Sequence, residues 1–466
     1  MIKKIFFIFL FILVLSYFVL NNNIGKEQTK LIQETKYLIP VYIKDFIKQN
    51  IFVHQYKSKL EKKITAQDKY ISRIYSDIEK IFDYGNSFEF SETFQEELKI
   101  DNTKLRITKF TLPPLEFTGP RAYIQYHDKN LFLINGNGDL FYISKNNLKK
   151  RKIIFTKIKS NLKKITSIDK NEMIQVKDFL LANDKIYVSF LNKKDSQCFE
   201  NKIIEGKISY EKITFETFFS TGECRKESTP SVGGNLSSFN KDKLLLTIGD
   251  YYCYERDSRD FCEKNLPQLN KSFMGKIISI NKDTKNFEIM SKGHRNSQGI
   301  FYNKENDIIW STDHGPYGGD EININLNPND RIKNYGWPIA SYGKHYEGPN
   351  LDKLYEIAPL KSHSEFNFDE PFIQFTPAIG ISQIIKIENF LNDDSQELFV
   401  GSLGFNLEEG DLSLHYFRFD LNYNILSQEV IPIGERIRDL EFIADLNLIV
   451  LFLETSGSIA IIEKPY

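Results

Sequence analysis

Short apolar runs recur along most of this chain, each opened by a polar turn residue. Asn130-Leu131-Phe132-Leu133 is followed by Lys185-Ile186-Tyr187-Val188 and Lys243-Leu244-Leu245-Leu246. Asp307-Ile308-Ile309-Trp310, Glu397-Leu398-Phe399-Val400 and Asn447-Leu448-Ile449-Val450 complete the set. The copies are spaced by about 50 to 65 residues, with one wider gap before Leu398 that holds Asn334-Tyr335-Gly336-Trp337-Pro338. Continuous apolar runs of this length read as strands buried on both faces. Six such units, each of a few strands, predict an all-β fold, a six-bladed β-propeller. A sandwich would space its strands more closely and more evenly.

The chain before residue 100 has another texture. Residues 23–100 are rich in Lys, Glu and Gln and poor in Gly. Leu60, Ile64, Ile71, Ile74, Ile78 and Ile81 follow three- and four-residue steps, which predicts an amphipathic helix and a stalk or spacer. Further upstream, Lys3 and Lys4 precede an apolar run over residues 5–15 that continues to Leu20, the pattern of a targeting segment. No small-x-small cleavage site follows, so the reading is an uncleaved membrane anchor rather than a removed signal. The lysines would stay inside and the remainder would be exported, placing the protein in the periplasm or an equivalent extracytoplasmic space. The domains expected are therefore a signal or anchor segment at 1–22, a helical stalk at 23–100 and the propeller at 101–466.

Cysteine usage agrees with export. Cys198, Cys224, Cys253 and Cys262 are the only four and lie in one part of the chain. In an oxidising compartment they predict two disulfides, Cys198–Cys224 and Cys253–Cys262. A zinc site is disfavoured because no C-x-x-C pair is present. Lys plus Arg is 61 and Asp plus Glu is 62, so no net field points to nucleic acid and any anion site must be local.

Candidate chemistry concentrates in residues 293–342. His294, Arg295 and Asn296 lead into the strand at Ile308, and a Gly-rich acidic loop from Asp313 to Glu321 follows it. Loops of this kind on the end of a rigid strand are where sites usually sit.

Gly293-His294-Arg295-Asn296-Ser297-Gln298-Gly299, then Asp313-His314-Gly315-Pro316-Tyr317-Gly318-Gly319-Asp320-Glu321-Ile322-Asn323, then Asn334-Tyr335-Gly336-Trp337-Pro338 occur in that order. Together they resemble the glucose/sorbosone dehydrogenase family, sugar dehydrogenases that use pyrroloquinoline quinone (PQQ). Gly434-Glu435-Arg436-Ile437-Arg438-Asp439-Leu440 resembles the family's last motif. The resemblance runs from about residue 103 to the C-terminus and implies a six-bladed propeller. It also implies PQQ contacts at Arg295, Asn296, Arg436 and Arg438; a planar tricarboxylate suits bidentate guanidinium groups. Calcium is implied as well, with Glu321 and Tyr335 at a metal site and the Gly315 and Pro316 carbonyls facing the cofactor-bound ion.

Some family positions are changed. The general-base histidine is expected just before the Gly233-Gly234 turn and reads Ser231; the family arginine after that turn reads Asn235. The lysine expected after Gly401-Ser402-Leu403 is replaced by Gly404 and Phe405, and a glutamine expected near Met173 has no counterpart. A serine hydroxyl needs a base of its own to accept a sugar proton, which leaves His294 or His314, or a relay through Ser231, for that role. Two functions follow. One is a PQQ- and calcium-dependent dehydrogenase that oxidises a sugar or related alcohol and passes electrons to a membrane acceptor. The other is a non-catalytic propeller that binds a ligand or partner at the same mouth.

Overall fold

The computed structural model describes residues 87–465, apart from segments 101–102, 112–120, 137, 166–175, 196–197, 226–230, 255–261, 263–264, 349, 388–389 and 392–395. The expected anchor, and the helix over Leu60 to Ile81, lie outside the described residues. Among the described residues no helix is long and apolar enough to cross a membrane.

The described chain is nearly all-β. Six four-stranded antiparallel units, called blades here, follow one another. Blade 1 holds Ala122–His127, Asn130–Asn135, Leu140–Ser144 and Ile153–Ser160. Blade 2 holds Val176–Ala182, Lys185–Asp195, Cys198–Lys207 and Phe215–Ser220. Blade 3 holds Gly233–Phe239, Lys243–Ile248, Lys276–Asn281 and Phe287–Lys292. Blade 4 holds Ser297–Asn303, Ile308–Asp313, Asp320–Leu326 and Ile373–Phe375. Blade 5 holds Ile381–Ile387, Gln396–Ser402, Ser413–Phe419 and Ile425–Pro432. Blade 6 takes Ile437–Ile443, Leu448–Leu453 and Ser458–Glu463 from the C-terminus and its outer strand, Thr103–Thr111, from the start of the β region. The first strands of successive blades contact one another around a closed ring.

Every apolar run singled out from the sequence is the second strand of a blade. Those strands lie between neighbours within the sheet and between sheets on either face, so their side chains are buried regardless of parity. Leu244, Leu245 and Leu246 are all fully buried, as are Leu131, Phe132 and Leu133. Alternation is lost there for that reason. The tight turn Asp128-Lys129, with both φ positive, is the two-residue hairpin connection that matches the twist of the flanking strands.

The first strands of neighbouring blades contact one another but form no ladder together, and side chains stitch each of these junctions. Gln125 Oε1 accepts from Leu181 N between blades 1 and 2, and Asp178 Oδ2 accepts from Leu236 N (2.8 Å) between blades 2 and 3. Thr247 Oγ1 donates to Ser297 O (3.2 Å) and Thr312 Oγ1 to Ser382 O (2.6 Å) at the next two. Ser382 Oγ donates to Ile437 O (2.6 Å), and Asp439 Oδ2 accepts from Ile124 N (2.7 Å) to complete the ring.

The boundary expected at residue 100 moves. Ser87–Ile100 is a strand, not stalk helix; it pairs with Thr103–Thr111 and, through Ser87 to Phe90, with the outer strand of blade 1. Blades 6 and 1 thereby share one sheet. The wide gap before Leu398 is an insertion between the third and fourth strands of blade 4. It carries Lys333–Asn334, which adds in parallel to blade 3, and the helix Leu351–Ile357. Both expected disulfides form, Cys198–Cys224 and Cys253–Cys262.

Phe110 lies on the closing strand opposite Ile459 and packs with Phe90, Phe155 and Phe452. Phe110→Ala is expected to cost about 3–5 kcal/mol, read as a lower urea midpoint by tryptophan fluorescence. A loss under about 1 kcal/mol would show that the closing strand contributes little.

Candidate active site at the leading ends of the inner strands

The first strands all begin at one end of the ring, and the residues at their beginnings line one cavity of about 1060 Å³. Arg121 and Tyr123 come from blade 1, Lys177 from blade 2 and Ser231 from blade 3. Arg295, Asn296 and Gln298 come from blade 4, Gly380 from blade 5, and Arg436 and Arg438 from blade 6. The expected cofactor contacts therefore share one space although the chain separates them by some 140 residues.

Asp313, at the end of the second strand of blade 4, organises the His-Arg-Asn segment. Its carboxylate accepts from Asn296 N (2.6 Å), Arg295 N (3.3 Å), Ser297 Oγ (3.2 Å) and His294 Nδ1 (2.9 Å). The His294 ring is fully buried, and its Nε2 meets Ser291 Oγ at 2.7 Å. Both ring nitrogens are thus committed, and His294 does not line the cavity. That removes it from the candidate bases: the strand geometry turns the ring inward, against Tyr335, while Arg295 and Asn296 face the opening. Arg295 Nη1 donates to His314 O (2.9 Å), with the guanidinium 5.7 Å from the Trp337 ring centre. Asn296 Oδ1 accepts from Gly233 N (3.1 Å) and Gln298 Nε2 (3.0 Å).

A second carboxylate does the same for blade 6. Glu454 is buried and pairs with Arg438 Nε, with Arg436 Nη2 at 3.3 Å and with Arg121 Nε at 3.9 Å. Burial alone would raise its carboxyl, but Arg438, Arg436 and Arg121 hold it below the ordinary glutamate value. One acid anchoring these guanidinium groups leaves the wall positive. Arg436 also donates to Leu403 O and lies 4.5 Å over the Phe405 ring.

Ser231 lines the cavity, but its hydroxyl donates to Asp250 Oδ1 (2.9 Å). Asp250, fully buried, also accepts from Tyr252 N (2.8 Å) and Trp337 Nε1 (2.9 Å). The serine hydroxyl and the Asp250 carboxylate thus form one hydrogen-bonded pair at the cavity wall. His314 does line the cavity; burial keeps its imidazole below the ordinary value, and its Nε2 has no hydrogen-bond partner among the described residues.

The expected metal positions divide. Gly315 and Pro316 line the large cavity, whereas Glu321 and Tyr335 line a separate void of about 10 Å³ beside Asp313 and Gly315. Burial and the nearby Asp313 push the Glu321 carboxyl well above its usual range. Tyr335 Oη donates to Ile324 O at 2.8 Å. Among the described residues, no group of three or more His, Cys, Asp and Glu side chains could hold a metal.

Residues 119–461 match the family model for glucose/sorbosone dehydrogenase. The chain belongs to the glucose/sorbosone dehydrogenase family. By family it is a sugar-dehydrogenase-like oxidoreductase. The aldose sugar dehydrogenase of Escherichia coli is 32% identical over 304 residues, 60% of this chain and 75% of that one. An uncharacterized protein of Synechocystis sp. is 30% identical over 269 residues; the match spans 54% of this chain and 61% of its length. Among solved structures, the apo form of the soluble E. coli aldose sugar dehydrogenase superposes with a TM-score of 0.55 at 18% identity, covering 82% of this chain and 99% of that one. The holo PQQ domain of pyranose dehydrogenase from Coprinopsis cinerea gives 0.52 at 12%, covering 80% and 98%. At these identities the structural likeness is one of fold.

Arg121, Lys177, Gln298 and Glu454 were not singled out from the sequence. Lys177-Asp178 within the apolar run from Val176 to Leu181 was a usable signal, because charges are rarely buried without a role. Arg121 and Glu454 carry no local signal; only the ring brings them beside Arg438.

Glu454→Gln is expected to lower stability at pH 7 by about 3–5 kcal/mol, since Arg438 stays buried without its counter-charge. A carboxyl held low contributes above its unfolded value and loses that contribution as pH falls through its folded one. The gap between wild type and variant should therefore close in thermal unfolding below about pH 4. A gap independent of pH would show that Glu454 acts through shape alone.

Proposed function

We propose that this chain is an extracytoplasmic PQQ- and calcium-dependent dehydrogenase on a six-bladed β-propeller, oxidising a sugar or related alcohol and handing electrons to a membrane acceptor. The observation that carries this reading is the convergence of Arg295, Asn296, Arg436 and Arg438 on one cavity. The donor chemistry fits a flat tricarboxylate: guanidinium groups stand at separate points of the wall, and Gly315 and Pro316 lie on the same cavity for an oxygen-seeking ion. When bound, PQQ would supply a hydride-accepting quinone carbonyl and calcium would polarise it.

The chain's own part is to orient and to manage the proton. Arg295 is held by His314 O, and Arg436 and Arg438 by Glu454, so the cations are placed before any ligand arrives. His314 is the candidate proton acceptor that faces the cavity, with Ser231 and Asp250 as a neighbouring hydroxyl–carboxylate pair. Glu321 and Tyr335 belong, in this reading, to a second calcium site beside the first. In this reading residues 1–22 serve as the anchor. The disulfides fit an oxidising compartment.

A second reading is favoured by the serine that replaces the family base: a propeller that binds its ligand or a partner at the mouth without turnover. Reconstituting the purified protein with PQQ and calcium and assaying dye reduction with aldoses separates the two. Reduction that is lost on chelation of calcium is expected. Absence of reduction, with no quinone absorbance retained through gel filtration, would sink the dehydrogenase reading. Ser231→His is expected to raise the rate about 10²-fold or more by restoring a base.

A further inference from the structure

One buried cation of the cavity wall has no counter-charge among the described residues. Lys177, on the first strand of blade 2, is 6% exposed and lines the cavity. It has no hydrogen bond or ion pair among the described residues, and the charges that act on it are those of Arg121 and Arg438. Its stem packs against Gly234: a Cβ added there would lie 2.4 Å from Lys177 Cβ. Other groups around it are committed. The Asp178 carboxylate accepts from Leu236 N and Phe179 N, the Ser231 hydroxyl goes to Asp250, and Glu454 pairs with Arg438 and Arg121. Tyr123, the neighbour on blade 1, is pushed up to about 12, chiefly by burial, and stays neutral.

A buried ammonium between guanidinium groups costs stability, and such a cost is kept where a ligand of opposite charge relieves it. Burial, then Arg121 and Arg438, lower the Lys177 ammonium to about 7. An arriving carboxylate favours the charged form. The anionic-cofactor reading above leaves one cation unassigned, because Gly401-Ser402-Leu403 runs on to Gly404 and Phe405.

We propose that Lys177 is the cation that meets a carboxylate of the bound anion, taking from blade 2 the place of the lysine absent after Leu403, and that anion binding draws a proton into the cavity. This rests on the cofactor reading. The proton comes from solvent onto Nζ; no covalent bond between protein and ligand forms or breaks.

Binding of PQQ to the full-length protein with calcium is measured by calorimetry in two buffers of different ionisation heat. Wild type should take up close to one proton per PQQ at about pH 8, and its affinity should fall by up to about tenfold per pH unit above that. Lys177→Met should abolish the uptake, bind about 10- to 100-fold more weakly at pH 7, and melt no lower than wild type. Lys177→Arg should bind without uptake, since a guanidinium stays charged. Uptake that persists in Lys177→Met would assign the proton to His314 and overturn the proposal. So would PQQ binding by wild type with no uptake at pH 8, which stands as a test even if a variant fails to fold. Wild type that binds no PQQ at all would overturn the cofactor reading, and this inference with it.

Discussion

Closing a ring from separate sheets leaves polar backbone groups of the inner strands facing neighbours with which they form no ladder. Each junction meets this with a side chain: an acid or amide oxygen accepting an N–H, or a hydroxyl donating to a C=O. A buried backbone group without a partner costs as much as a lost hydrogen bond, so these contacts decide where each blade can sit relative to the next. The closing strand adds the final constraint. Phe110 and Ile107 pair with Ile459 and Ile462 from the far end of the chain, so the circle is held by main-chain hydrogen bonds and apolar packing together.

The site follows from that ring. First strands that begin at one end bring their leading residues to a common mouth, whichever part of the chain they come from. Two buried carboxylates then convert position into direction. Asp313 gathers the backbone of Arg295 and Asn296, and Glu454 gathers the guanidinium groups of Arg436, Arg438 and Arg121. Holding like charges together in this way costs stability unless an opposite charge lies between them.

The position to which the family resemblance assigns a base fits the same logic. A serine at 231 keeps Asp250 satisfied, together with Trp337 and the Tyr252 backbone, so the local structure survives without an imidazole. A family fold can keep its scaffold while altering a group of its site.

Much of this was legible in the residues alone. Apolar runs with no alternation gave away the second strand of each blade, because a strand covered on both faces needs no polar side. The disulfide pairs were readable from the cysteine spacing, and the family resemblance pointed to Arg295, Asn296, Arg436 and Arg438, which line one cavity. Less was readable where a residue's meaning depends on what faces it. His294 and His314 look equally able in sequence, yet one has both nitrogens bonded and the other faces the cavity. Ser87–Ile100 carries an alternating pattern, with Phe88, Phe90, Phe94, Leu98 and Ile100 all at even positions, but its Lys/Glu/Gln-rich composition groups it with the chain before it; pairing with Thr103–Thr111 settles it as a strand. Arg121 and Glu454 come beside Arg438 only because the ring closes. Local pattern reports burial, a property of one strand; the neighbours of a charge are set by closure across the whole chain.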